Sequence, residues 1–293
     1  MSFLDGIDSF VRASESLARH TWFQLGGAAE YFAEPRSTEE LATLLARCRQ
    51  EDMKVRLLGG GSNVLVSDDG VPGVVIRLSD PHFAKIAVQG DRVTAGGAAK
   101  LGHVLSSSVS HGLAGMETLV GIPGSIGGAL HNNAGSRGGD IGQWTHSAKV
   151  MTYAGEIIDR PRNELVFAYR QSSLDELVIL EAEFELERDD PIELTKRMQK
   201  QWIQIKAAQP PGDQHAECIF KNPRGMSAGM LIDQCGLKGT RVGGAEVSDR
   251  HANFIIAHPG ASSRDVQTLI DQIRERVSER MGVELEPQIE IWE

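Results

Sequence analysis

Leu57-Leu58-Gly59-Gly60-Gly61-Ser62-Asn63 joins two short β-like runs, Val55 to Leu58 and Val64 to Val66. A second glycine-rich stretch, Gly121-Ile122-Pro123-Gly124-Ser125-Ile126-Gly127-Gly128, leads on to Asn133-Ala134-Gly135. Consecutive glycines permit positive φ and present backbone N–H groups at close range, which is how a diphosphate is cradled without many cations. One such loop reads equally well as a tight turn, whereas two in one region favour a ligand. Three rival signatures are missing: there is no GxGxxG after a strand, no GxxxxGK and no HExxH.

The glycines are concentrated regionally. Of 32 in 293 residues, 19 fall between Gly59 and Gly142, and only Gly155 occurs from residue 144 to 211. With 41% hydrophobic and 24% charged residues, the rest of the composition is that of a globular protein. The net charge of -10 argues against a nucleic-acid partner, because such binding starts from counterion release on a basic face. The N-terminal MSFLDGIDSF has neither a basic region nor an apolar core, and no apolar run approaches membrane-spanning length, so a cytoplasmic protein without membrane contact is expected. Cys48, Cys218 and Cys235 are odd in number and far apart, which indicates neither a disulfide frame nor a metal site. The oligomeric state is left open, a monomer being compatible with the sequence.

Local patterns alternate between helix and strand. Ser37-Thr38-Glu39-Glu40 reads as a capping box before a helix with Leu41, Leu44, Leu45 and Cys48 on its apolar face. Leu101 to Gly112 reads as a second helix, Ala154-Gly155 as a hairpin turn, and Val178, Leu180, Ala182, Phe184 and Leu186 as one face of a long strand. The charged run Glu187 to Pro191 marks a junction, which divides the chain into 1–190 and 191–293. Beyond it the patterns predict a helix to about Ala208, a turn over Gln209 to Asp213, and a strand at Cys218 to Phe220. A short helix near Ala228 to Cys235 follows, then a helix capped by Ser262, and a final strand from Val283 to Trp292. The whole is a mixed α+β chain.

Several polar strings bear on chemistry. Lys221-Asn222 sets a cation and an amide at a strand end, where a phosphate or carboxylate can be gripped. Arg250-His251-Ala252-Asn253-Phe254 adds a polar cluster in the same half. Gly225-Met226-Ser227-Ala228-Gly229 matches the GxSxG elbow of serine hydrolases, but Asn222-Pro223-Arg224 lengthens the approach, and Asp249 and His251 are too close for typical triad partners. A helix start at Ser227 is the competing reading.

Together these strings resemble the UDP-N-acetylenolpyruvoylglucosamine reductases, flavoenzymes that complete UDP-N-acetylmuramate for peptidoglycan synthesis. The likeness spans nearly the whole chain. It takes in His20-Thr21-Trp22-Phe23-Gln24-Leu25-Gly26-Gly27, the first glycine loop with Val64-Leu65-Val66-Ser67-Asp68, and Gly115-Met116-Glu117. It continues through the second glycine loop, Tyr169-Arg170 with Ser172, Phe220-Lys221-Asn222-Pro223, Gly236-Leu237-Lys238-Gly239, and Arg250 to Phe254. The absence of a tyrosine-bearing insert resembles the family's shorter subtype.

The resemblance implies an FAD-binding domain of the vanillyl-alcohol-oxidase (PCMH) type to about residue 190, followed by a smaller α+β substrate-binding domain. It assigns FAD to Gly59, Gly60, Gly61, Ser62, Asn63, Gly121, Ile122, Pro123, Gly124, Ser125, Gly128, Asn133, Ala134 and Gly135. NADPH is the implied electron donor and a UDP-sugar the substrate, lined by Tyr169, Lys221, Asn222, His251, Asn253 and Gln288. Arg170 matches the arginine that stabilises the enolate, and Cys218 stands where the family commonly has a proton-donating serine. A thiol, with a reference pKa of roughly 8.5, is the stronger acid of the two. A second departure is Gln288, which aligns with the family's C-terminal glutamate and cannot shuttle a proton. Glu286 and Glu290 lie two residues to either side, on the same face if the segment is a regular strand. Other FAD-dependent oxidoreductases of this fold, and a catalytically dead nucleotide-sugar binder, are the alternatives the resemblance leaves open.

Overall fold

The computed structural model describes residues 3–136, 138–174, 176, 178–210 and 218–293. The chain forms two compact units, one of Met1–Ala13, Tyr31–Gly60 and Gly73–Gln204, the other of Ser14–Glu30, Gly61–Pro72 and Ile205–Glu293. These bounds differ from a division at residue 190. Composition registers a solvated, charged run, whereas membership of a unit depends on which distant segment a residue packs against. Pro211, Gly212 and Asp213 of the expected turn lie outside the described residues.

In the first unit, five strands lie in the order Ile157–Pro161, Thr145–Met151, Val178–Glu185, Arg92–Gly96 and Ile86–Gln89, each antiparallel to its neighbours. Val178–Glu185 is central because its period of two suits a half-buried strand: Val178, Leu180, Ala182 and Phe184 are buried. The acidic residues between them carry cross-strand pairs such as Arg92 with Glu183 at 2.5 Å. Partly exposed pairs of this kind contribute about 0–1 kcal/mol, against ~1.5–3 kcal/mol for burying a side chain such as Phe184. The expected hairpin is present, with Met151 opposite Ile157 and Gly155 at φ 80°.

Helix Thr38–Gln50 buries Leu41, Leu44, Leu45 and Cys48, as its spacing predicts. Ser37 caps it by accepting the Glu40 N–H at 3.3 Å, but the reciprocal half of the expected box is displaced. The Glu40 carboxylate accepts instead from the Arg36 backbone N–H at 2.7 Å and pairs with the Arg36 guanidinium. Burial pushes the Cys48 thiol up to about 11, which makes it an inert core residue. Helix Leu101–Ser110 stops where Gly112 takes φ 68°, and helix Pro191–Ala208 opens on the proline.

The second unit packs a meander of Arg241–Val242, Ala245–Val247 and Ile255–Ala257 against helices Ala228–Gln234 and Ser263–Met281. The latter helix buries Val266, Leu269, Ile270, Ile273 and Val277, is capped reciprocally by Ser262 and Asp265, and ends at Gly282 with φ 65°. Sequence reading missed a further cap. The Asp68 carboxylate accepts the Ser263 and Arg264 backbone N–H groups at 2.8 and 3.0 Å, neutralising the helix's positive end. Asp68→Ala is expected to destabilise the protein by about 1–2 kcal/mol. An unchanged thermal midpoint would remove that role.

The C-terminal strand is shorter than expected. Only Glu290–Trp292 is regular, pairing in parallel with Val64–Val66. Likewise only Phe220, bridged to Pro287, pairs in the segment expected as a strand from Cys218 to Phe220. Pro287 lacks the N–H that would extend the ladder.

Candidate active site

The first unit brings the two glycine-rich loops face to face. A Cβ on Gly60 would lie 2.8 Å from the Gly124 Cα, and one on Gly59 would lie 2.8 Å from Ser125 Oγ, so this approach needs bare backbone. The second loop is seated by Ile126 N–H donating to Ala99 O and Gly127 N–H donating to Gly97 O. Ser125 Oγ accepts the Gly128 N–H, while Gly121 and Gly124 adopt φ of 84° and 108°. Among the described residues, none of the N–H groups from Gly59 to Asn63 donates to a backbone carbonyl. An array of uncommitted N–H groups on glycine backbone fits an anionic diphosphate, and hence FAD.

Arg170 sits at the tip of a two-residue turn between Phe167–Ala168 and Gln171–Ser172. Its φ is 56°, a conformation costly for a residue with a Cβ. The Arg170 Nε is buried without a hydrogen-bond partner among the described residues, and the guanidinium carbon lies 5.7 Å from the Tyr169 ring centroid. A buried, unused charged donor is an anion-binding group in search of an anion.

In the second unit Asn253 clamps the peptide of Phe220, its Oδ1 accepting the N–H at 3.0 Å and its Nδ2 donating to the carbonyl at 2.8 Å. This fixes the segment that carries Cys218, Lys221 and Asn222. Alongside it, Lys221 N–H donates to Glu286 O at 2.9 Å and Gln288 N–H to Ile219 O at 2.7 Å. The Lys221 ammonium meets the Glu286 carboxylate at 2.5 Å. Asn222 Oδ1 accepts the Ala228 N–H at 3.0 Å, the start of a helix. Gln288 is reached from the first glycine loop as well: Asn63 Nδ2 donates to the Gln288 carbonyl at 3.1 Å, while the buried Asn63 Oδ1 has no hydrogen-bond partner among the described residues.

Glu286 and Glu290 do not share the face of a regular strand, because the chain around Pro287 is irregular. Glu286 is committed to Lys221, and Glu290 accepts from Trp292 Nε1 at 3.4 Å. Ser227 forms no nucleophile elbow. It has extended backbone at φ −102°, and its Oγ accepts the Met230 N–H as a helix cap. The second glycine of that motif, Gly229, serves packing, since a Cβ there would lie 3.2 Å from the His251 Cε1. Burial pushes the His251 imidazole below its ordinary value, and its Nδ1 accepts the Asn253 N–H at 3.3 Å.

Two family descriptions match the chain: "FAD binding domain" over residues 29–160, and "UDP-N-acetylenolpyruvoylglucosamine reductase, C-terminal domain" over residues 209–292. The chain is 41% identical over 284 residues to UDP-N-acetylenolpyruvoylglucosamine reductase 2 of Symbiobacterium thermophilum, covering 96% of this chain and 92% of that protein. It belongs to the UDP-N-acetylenolpyruvoylglucosamine reductase family. The reductase of Moorella thermoacetica is 38% identical over 98% of this chain and 95% of its own. The crystal structure of the Thermus caldophilus reductase superposes with a TM-score of 0.82 at 34% identity, covering 97% of this chain and 98% of that one. A glucose dehydrogenase, wild-type Phl p 4.0202, shares the fold alone, with a TM-score of 0.51 at 11% identity, over 96% of this chain and 63% of that one. The FAD-binding part of this reductase is therefore of the vanillyl-alcohol-oxidase (PCMH) type within an α+β chain, as the resemblance implies.

Proposed function

We infer that the protein is an FAD-dependent UDP-N-acetylmuramate dehydrogenase, which uses NADPH to reduce the enolpyruvyl group of UDP-N-acetylglucosamine enolpyruvate during peptidoglycan precursor synthesis. The observation that carries this reading is the pair of facing glycine loops in a chain that matches a reductase over 96% of its length. Residues 1–190 supply most of the FAD contacts and 191–293 most of the substrate contacts. The site of action is the cytoplasm, where NADPH and nucleotide sugars are held. Among the described residues no helix is long and apolar enough to cross a membrane.

The backbones of Gly59 to Asn63 and Gly121 to Ser125 would hold the FAD diphosphate, and FAD would supply the redox chemistry, a hydride relay from NADPH to C3 of the enolpyruvyl group. The rest falls to side chains. Negative charge develops on C2 and its carboxylate, and the Arg170 guanidinium, whose buried Nε has no hydrogen-bond partner among the described residues, offers a fork of donors to those oxygens. Cys218 gives a proton from Sγ to C2, completing the net addition of hydride and proton. Lys221 and Asn222 orient the substrate's anionic groups, and His251 lines the same site as a neutral ring. Gln288 holds its place by backbone hydrogen bonds and offers its carboxamide as a hydrogen-bonding group, with no proton to transfer.

The yellow holoprotein is expected to bleach with NADPH under anaerobic conditions and to recover its absorption on adding the enolpyruvyl sugar nucleotide. Bleaching without recovery would overturn the reading. Cys218→Ala is expected to slow recovery on the order of a hundredfold or more while bleaching stays near the parental rate. Recovery in the parent is expected to fall in the alkaline range, because a thiolate has no proton to give. Equal slowing of both half-reactions by Cys218→Ala, or a flat profile into the alkaline range, sinks the donor role.

A further inference from the structure

The turn that aims Arg170 is held in place by side chains outside it. Asn133 Nδ2 donates to the Ala168 carbonyl at 2.8 Å, immediately before the turn. Ser172 Oγ, immediately after the opposing strand residue Gln171, donates to the His131 carbonyl at 3.1 Å. The hairpin is thus tied at one shoulder to the last residue of helix Ile126–His131 and at the other to Asn133, just beyond it.

Asn133 does more than touch the hairpin. Its Oδ1 accepts the Gly142 N–H at 3.1 Å, and Gly142 packs closely against the Phe167 side chain. A Cβ on Gly142 would come within 2.3 Å of the Phe167 Cγ. One carboxamide therefore fixes the strand bearing Phe167 and Ala168 both directly and through the glycine beneath it. Asn133 is 1% exposed and itself takes φ 41°, which asparagine tolerates better than most residues. Each end of its side chain is engaged by backbone, so the carboxamide is built into the protein.

We propose that Asn133 is the positioning residue for Arg170, and that its side chain serves the reduction of the substrate through that arginine and does not hold the flavin. Arg170 occupies an unfavourable backbone region, and its buried Nε has no hydrogen-bond partner among the described residues, so no hydrogen bond within the turn keeps the guanidinium where charge develops. The two clamps supply that restraint. The proposal rests on the reading of Arg170 as the group that stabilises the enolate.

The test uses the FAD-loaded enzyme in stopped-flow half-reactions. Asn133→Gly removes the carboxamide while accepting the positive φ. It is expected to retain FAD through gel filtration, to be reduced by NADPH within about twofold of the parental rate, and to be reoxidised by the enolpyruvyl sugar nucleotide on the order of a hundredfold more slowly. Ser172→Ala, which leaves the asparagine clamp intact, shows a smaller loss confined to the same half-reaction. In an Arg170→Ala background, Asn133→Gly adds no further loss, because the residue acts through the arginine. Loss of flavin, equal slowing of both half-reactions, or a full additional loss in the Arg170→Ala background overturns the proposal. If Arg170→Ala is reoxidised at the parental rate, the reading of Arg170 itself fails. Slow Arg170→Ala beside parental Asn133→Gly and Ser172→Ala defeats the positioning role alone.

Discussion

Arg170→Ala holoenzyme is expected to bleach with NADPH near the parental rate and to recover 10²–10³ times more slowly on the enolpyruvyl substrate, a loss of roughly 3–4 kcal/mol in transition-state stabilisation. The magnitude follows from where the guanidinium works. Its Nε is buried and has no partner among the described residues, so it has little reorganisation to undergo when negative charge appears. Removing it leaves that charge facing a site with one preorganised cation fewer. Arg170→Lys is expected to restore only part of the rate, because a point charge on a flexible stem lacks the planar fork that meets two oxygens together. Stopped-flow absorbance at the flavin band separates the halves. Parental recovery in Arg170→Ala removes the arginine from the chemistry.

Gly60→Val is expected to yield protein that folds but emerges colourless from gel filtration. A Cβ at this position meets the Gly124 Cα at 2.8 Å, and both sides of the contact are backbone, so no flexible side chain can give way. The added branch would force apart the two loops that we propose present N–H groups to the diphosphate. The flavin-to-protein absorbance ratio reads the result directly, with far-ultraviolet circular dichroism reporting the fold. Gly102→Ala is the matching control. It lies in helix Leu101–Ser110 with open space around it, so it keeps FAD and gains roughly 0.5–1 kcal/mol of stability. A yellow Gly60→Val protein would show that the facing loops are not the cofactor's cradle.

Much of the local architecture was legible in the chain. Leu41, Leu44, Leu45 and Cys48, or Val266, Leu269, Ile270, Ile273 and Val277, repeat at helical spacing, and each set is buried on one helix face. The alternation from Val178 to Phe184 gave the central strand equally well. Such patterns can be read because the geometry they report is complete within a few residues. Motifs whose meaning depends on neighbours were less secure. Gly225 to Gly229 spells a hydrolase elbow, yet its serine caps a helix and its second glycine makes room for His251. Glu40 sits at the capping-box position but prefers the nearby Arg36.

The candidate site was legible as a set of strings and not as an arrangement. Sequence by itself determined which residue types were present: two bare-backbone loops, Arg170, a thiol at Cys218 and a carboxamide at Gln288. Those are covalent facts, settled before folding. Only the tertiary structure decided what each group has left to offer. Asn133 meets Ala168 across 35 residues and Asn63 meets Gln288 across 225, and no periodicity records a pairing at such separations. A hydrogen bond made within the protein removes a donor or acceptor from chemistry, while a burial that provides no partner among the described residues, as at Arg170 Nε, reserves one for it.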